Sequence, residues 1–147
     1  MGGESATLGM VRVLLIEDDS ASAMVVQAHL AAIASVQCEV ELVHTLREAL
    51  AQLGERNFDL VIADLHLPDS KAEDTVAMLV RSCHQPVIAL TVDASPELRE
   101  QAVASGAYDF LLKGYLGAGA LERPVRLAAL HARTLASLRR SESASAA

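Results

Sequence analysis

The run DLVIADLHLPD, residues 59–69, decides how the chain folds. Leu60, Val61, Ile62 and Ala63 are consecutive apolar residues with no polar alternation, the pattern of a strand buried on both faces of a parallel sheet. The run ends on Asp64, and Pro68 with Asp69 then turns the chain. Similar short runs lie at 11–16, 39–43, 87–90 and 110–112. Ala/Leu-rich segments separate them and follow the last one, predicting helices over 21–34, 46–53, 73–82, 96–105 and 121–140. Strand and helix thus alternate five times. Parallel strands joined by helical crossovers give an α/β sheet covered on both faces.

Local signals support the helices. Thr45 followed by Glu48 forms a capping box, and Ser95–Pro96 supplies a cap and a first-turn proline. Gly106 stands where the fourth helix stops. In the last helix Leu121, Val125, Ala128, Ala132 and Leu135 form one stripe for the sheet, while Leu127, Leu130 and Leu138 lie off it. With its basic end, Arg133, Arg139 and Arg140, this helix is longer than the domain needs. It could serve a downstream output domain or a second copy of the chain.

Composition bounds the function. The 147 residues are 52% apolar but only 3% aromatic, so the core is aliphatic. A net charge of −7 argues against direct nucleic-acid binding, which needs a basic face. No stretch is long and apolar enough to span a bilayer, and no secretory signal opens the chain, so a cytoplasmic protein is expected. Cys38 and Cys83 match no metal or redox spacing. His29, His44, His66, His84 and His131 show no ligand pairing, and Gly114–Gly119 lacks the lysine of a nucleotide loop. Residues 1–9 are expected to be a disordered lead-in or an expression remnant, 10–140 the folded domain, and 141–147 a flexible tail.

Ligands of such sheets bind at the carboxyl ends of the strands, where the strand order switches. Glu17, Asp18 and Asp19 follow the first strand, Asp64 ends the third, Thr91 follows the fourth and Lys113 the fifth. Each alone reads as a solvated loop, cap or surface residue. Together, four strand ends carry the parts of one device. Clustered carboxylates call for a cation, and Mg²⁺ suits oxygen ligands beside phosphate. A carboxylate can attack a phosphoryl group to form an acyl phosphate, a reaction governed by positioning and charge neutralisation.

These motifs, VLLIEDD at 13–19, DLVIADLHLPD at 59–69, ALT at 89–91 and GAYDFLLK at 106–113, resemble the CheY-like response-regulator receiver domains of two-component signalling. The resemblance runs from residue 11 to about 136. It implies a flavodoxin-like (βα)5 doubly wound fold with strand order 2-1-3-4-5. It also implies that Asp64 takes a phosphoryl group from a histidine kinase or histidine phosphotransfer protein. Glu17, Asp18, Asp64 and the backbone carbonyl of His66 would hold Mg²⁺, with Asp18 a direct ligand and Asp19 a loop or cap residue. Thr91 would be the switch hydroxyl, Lys113 the lysine that pairs with the phosphoryl group, and Phe110 the aromatic switch position. Activity would be limited to self-phosphorylation and slow self-dephosphorylation.

Several residues depart from the family pattern. Lys113 is followed by Gly114 in place of the common proline, so a trans bond is expected. Val92 replaces a very small residue and could crowd the phosphoryl entrance. Ala72 replaces a glycine before the third helix, and Phe110 the commoner tyrosine. His66 and Asp93, each two residues past a site residue, are expected to influence the lifetime of the phosphoryl group. Two alternatives remain: a receiver-shaped interaction module that works without phosphorylation, and a phosphatase with an aspartyl nucleophile. The latter normally carries a second Asp where this chain has His66.

Overall fold

The computed structural model of the chain describes residues 8–146. The expected lead-in therefore lies outside the described residues, except for its last two positions. The elements follow in strict alternation: β1 (Met10–Ile16), α1 (Ser20–Ala31), β2 (Gln37–Val43), α2 (Leu46–Glu55), β3 (Leu60–Asp64), α3 (Ala72–Ser82), β4 (Val87–Thr91), α4 (Pro96–Ala104), β5 (Asp109–Leu112) and α5 (Glu122–Ala146). The five strands form one sheet in the order β2-β1-β3-β4-β5, with every pairing parallel. This is the flavodoxin-like architecture the sequence predicts.

The pleat explains the uninterrupted apolar runs. Val11, Val13 and Leu15 of β1, Leu60 and Ile62 of β3, and Ile88 and Leu90 of β4 face Val26 and Leu30 of α1, Val125 and Ala128 of α5, and Leu121 just before α5. The intervening residues face the other side. Leu14, Ile16, Val61 and Ala63 meet Leu46, Ala49 and Leu79, while Ala89 and Phe110 meet Val76, Leu98 and Ala102. Successive side chains of a strand point to opposite faces, so a strand in the middle of three layers needs apolar residues at every position.

The caps fall as predicted. Thr45 and Glu48 exchange the reciprocal bonds of a capping box, Ser95 caps α4 with Pro96 in its first turn, and Asp19 caps α1 through Ser22 N–H. Gly106 follows α4 with φ +106°, and a Cβ there would lie 3.1 Å from Cγ1 of Val80. Glycine alone meets both conditions without strain.

Most boundaries fall within two residues of expectation, and three differences have a physical reason. β2 begins at Gln37, and Gln37 and Cys38 pair with Met10 and Val11. As an edge strand, β2 carries polar residues that mask its start. α1 ends at Ala31, short of residue 34. α5 continues to Ala146 where a loose tail was expected from 141. The alanines and serines there do not break a helix already propagating from the domain.

Candidate functional site

Two crossovers leave the sheet in opposite senses between β1 and β3, and that switch point opens a cleft at the carboxyl ends of the strands. The acidic run after β1 faces Asp64 there. Oxygen atoms of Glu17, Asp18 and Asp64 all lie within 4.8 Å of one another. Glu17 and Asp64 are buried and Asp18 is exposed. Lys113, just past β5, reaches across the cleft. Its Nζ lies 2.5 Å from Glu17 Oε1 and 2.9 Å from Asp64 Oδ2.

Burial pushes the Glu17 carboxyl above its ordinary range. The Lys113 ammonium pulls it down, and the Asp64 carboxylate adds to the rise. Burial alone would lower the Lys113 pKa, but hydrogen bonding and attraction to Glu17 and Asp64 win and raise it. The lysine is therefore held as a cation. Two buried carboxylates share one ammonium, with a third carboxylate at the mouth. This oxygen-only donor set carries excess negative charge, as a divalent hard cation requires. The cluster could hold a metal ion.

Backbone bonds hold the reacting groups. The N–H of His66 donates to Asp64 Oδ1 (3.1 Å), which turns the following peptide around the carboxylate. The N–H of Asp93 donates to Thr91 Oγ1 (3.1 Å). Thr91 is fully buried, and its own hydroxyl hydrogen is left to donate elsewhere. The His66 and Asp93 side chains then approach each other across the two loops, with Nε2 and Oδ2 3.9 Å apart. Phe110 is buried against Leu98 and Ala102 of α4.

The departures from the family pattern also have places. The Lys113–Gly114 bond is trans, and Lys113–Tyr115 forms a single 3₁₀ turn. Val92 is 73% exposed. With Ser22, Val25, Lys113, Gly114 and Leu116 it lines a cavity of about 380 Å³ beside the cleft. Val92 thus makes the approach apolar. Ala72 is the first residue of α3 and needs no glycine conformation.

Two supporting residues carry no local signal in the sequence. Asp69 reads as a solvated loop acid, yet its carboxylate accepts from the N–H groups of Leu46 and Arg47, both at 2.9 Å. It caps α2 from a distant loop. Burial works to raise its pKa, but these two bonds hold it below the usual carboxylate range. Thr75 is buried in α3, and its hydroxyl lies 3.0 Å from the carbonyl of Leu65. It pins the turn that follows Asp64.

Comparison with known proteins agrees with this geometry. A family model described as the response regulator receiver domain matches residues 13–123. Regulatory protein LuxO of Vibrio cholerae is 30% identical over 100 residues, covering 67% of this chain and 21% of that protein. The cell cycle transcriptional regulator CtrA of Caulobacter vibrioides is 33% identical over 109 residues, covering 71% and 45%. Among solved structures, the receiver domain assigned to a LuxO repressor in Vibrio parahaemolyticus superposes with a TM-score of 0.75 at 28% identity, covering 88% of this chain and 97% of that one. A CheY-like receiver domain of Methanospirillum hungatei shares the fold, with a TM-score of 0.73 at 22% identity, covering 85% and 98%.

The chain belongs to the response regulator receiver domain family of two-component signalling. It spans only about a fifth to under half of the length of these curated relatives. Among the described residues, no helix is long and apolar enough to cross a membrane.

Proposed function

We propose that Asp64 is the phosphoacceptor of this receiver, taking its phosphoryl group from a phosphohistidine on a histidine kinase or histidine phosphotransfer protein. The observation that carries the reading is the grouping of Glu17, Asp18, Asp64 and Lys113 at the switch point. An oxygen of Asp64 attacks phosphorus, the P–N bond of the donor breaks, and the imidazole leaves with the electron pair. The product is an acyl phosphate on Asp64. His66 N–H fixes one carboxylate oxygen during attack.

The carboxylates of Glu17, Asp18 and Asp64, with the His66 carbonyl, would hold Mg²⁺, which supplies charge neutralisation at the phosphoryl oxygens. Lys113 neutralises the other side. The Thr91 hydroxyl donates to a phosphoryl oxygen, and the loop after β4 follows it. Phe110 packs against α4, so that movement would alter the surface near α4 and α5. The apolar cavity beside Val25 and Val92 gives the donor protein a way in. The chain acts in the cytoplasm as a self-modifying switch with slow self-hydrolysis, passing the signal to an output partner by way of its last helix.

Incubation with Mg²⁺ and a small phosphodonor, followed by intact-mass measurement, tests this reading. One phosphoryl group is expected on the parent and none on Asp64→Asn. No adduct and no Mg²⁺ affinity would instead support a phosphorylation-independent interaction module.

A further inference from the structure

Arg139 and Arg140 have no part in the phosphoacceptor cleft. They lie at the opposite, amino-terminal edge of the sheet, where they line a cavity of about 350 Å³. The loops that enter β3 and β4 close its other side through Asn57, Phe58, His84 and Gln85. Ala132 and Ala136, two turns and one turn before Arg140 on the same face of α5, are too short to fill the space.

The charges around this cavity are unevenly used. Arg133 is committed: it pairs with Asp59 at 3.5 Å and donates to the carbonyls of Leu8 and Met10. Asp59 is committed too, since it also accepts from the N–H of Arg12 at 2.8 Å. Among the described residues, neither Arg139 nor Arg140 has a carboxylate within ion-pairing distance. Two unpaired guanidinium groups thus border one hollow in a chain of net charge −7. Gln85 supplies a second, independent observation. It lines the cavity half-buried, and its Oε1 is shielded from solvent without a hydrogen-bond partner. A buried acceptor that lacks a donor is costly. A small turn of this side chain offers it to a donor in the cavity.

We propose that the cavity binds a small phosphate monoester carrying an amino-bearing ring, namely an aminopurine nucleoside monophosphate. Arg139 and Arg140 take the phosphate, to which planar guanidinium forks are matched. Gln85 accepts from the exocyclic amine of the base, and Asn57 stands at the exposed rim. Phe58 and Leu135 give the ring an apolar wall. The volume lies at the small end of the ~300–1,000 Å³ range of ligand pockets, room for one nucleotide. The bound molecule ties the starts of β3 and β4 to the outer half of α5. The site does not depend on the phosphoacceptor reading, which concerns the other edge of the sheet.

Isothermal titration calorimetry of the whole chain with adenosine 5′-monophosphate in a metal chelator tests the site. Without a cation, the cleft at Asp64 sets three carboxylates against one ammonium and repels phosphate. One-site binding with a Kd of ~10–500 μM is expected. Inorganic phosphate and adenosine should each bind at least about tenfold more weakly. Arg139→Ala and Arg140→Ala, both at exposed positions, should each weaken the nucleotide at least about fivefold. Gln85→Leu should weaken it about five- to twentyfold and leave ribose 5-phosphate unchanged. Ala136→Leu, which fills the hollow, should abolish binding. Amide NMR shifts on titration should centre on Asn57, Gln85 and Ala136. No heat with nucleotide up to about 5 mM, an affinity indifferent to both arginines, or shifts confined to Asp18, Asp64 and Thr91 overturns the proposal.

Discussion

Replacing Lys113 by methionine removes the only cation among the described residues that touches both Glu17 and Asp64, and its cost can be worked out. The Glu17 and Asp64 side chains are 1% and 8% exposed. Without the ammonium, two carboxylates face each other with little solvent. Breaking a buried ion pair costs ~3–5 kcal/mol. Protonation sets a ceiling on that loss. A carboxyl of ordinary pKa ~4.3 takes up a proton at pH 7 for about 3.7 kcal/mol, at about 1.36 kcal/mol per pH unit. Burial has already raised Glu17, so the ceiling falls below this.

The expected loss is therefore ~2–3.5 kcal/mol at pH 7 in a metal chelator. Mg²⁺ should recover part of it. The pH dependence has a definite sign. A carboxyl raised above its unfolded value contributes stability at low pH, and that contribution is lost as pH rises through its folded pKa. The deficit of Lys113→Met should therefore shrink as pH falls from 7 towards 5. In the parent, Lys113 is raised above its ordinary 10.5. Its contribution is whole at neutral pH and is lost only as pH rises through that raised value. Urea unfolding followed by circular dichroism, with and without Mg²⁺, measures these differences. A loss under about 1 kcal/mol at pH 7, or one that Glu17→Gln in the same chain fails to relieve, would refute the reasoning.

Three further outcomes are expected. His66→Ala or Asp93→Ala should change the decay rate of the Asp64 adduct at least about threefold, measured by intact mass over time, because the two side chains meet across the loops that hold Asp64 and Thr91. Asp69→Ala should destabilise the fold by ~0.5–1 kcal/mol, the lower part of the range for a helix cap because the group is exposed and screened. Asp69 is held below its ordinary pKa, so its contribution is present above the unfolded value and lost as pH falls through the folded one; the gap between parent and variant should close in acid. Gly106→Ala should cost ~1–2 kcal/mol in thermal or urea unfolding, through its φ of +106° and the approach to Val80.

The fold was legible where a single rule governs each position. β3 and β4 are buried at every residue, so their apolar runs announce central strands. β2 alternates between exposed and half-buried residues over its first four positions and buries only Val43, and its first two positions join the sheet only through pairing with β1. That information lies in another part of the chain. The site divides the same way. Strand ends bring Glu17, Asp18, Asp64, Thr91 and Lys113 to one edge, and topology does the rest. Asp69 and Thr75 work through partners 22–23 and 10 residues away that no local spacing reveals. The length of α5 was underestimated because serine and alanine are indifferent to structure until a helix already begun carries them along.

The central claim concerns one carboxylate. After reaction with Mg²⁺ and a small phosphodonor, borohydride converts an aspartyl phosphate to homoserine, and peptide mapping locates the reduced residue. The account predicts conversion at Asp64 and nowhere else, abolished by Asp64→Asn. Conversion at Asp18 or Asp19, or a phosphoryl group carried by His66, would contradict it.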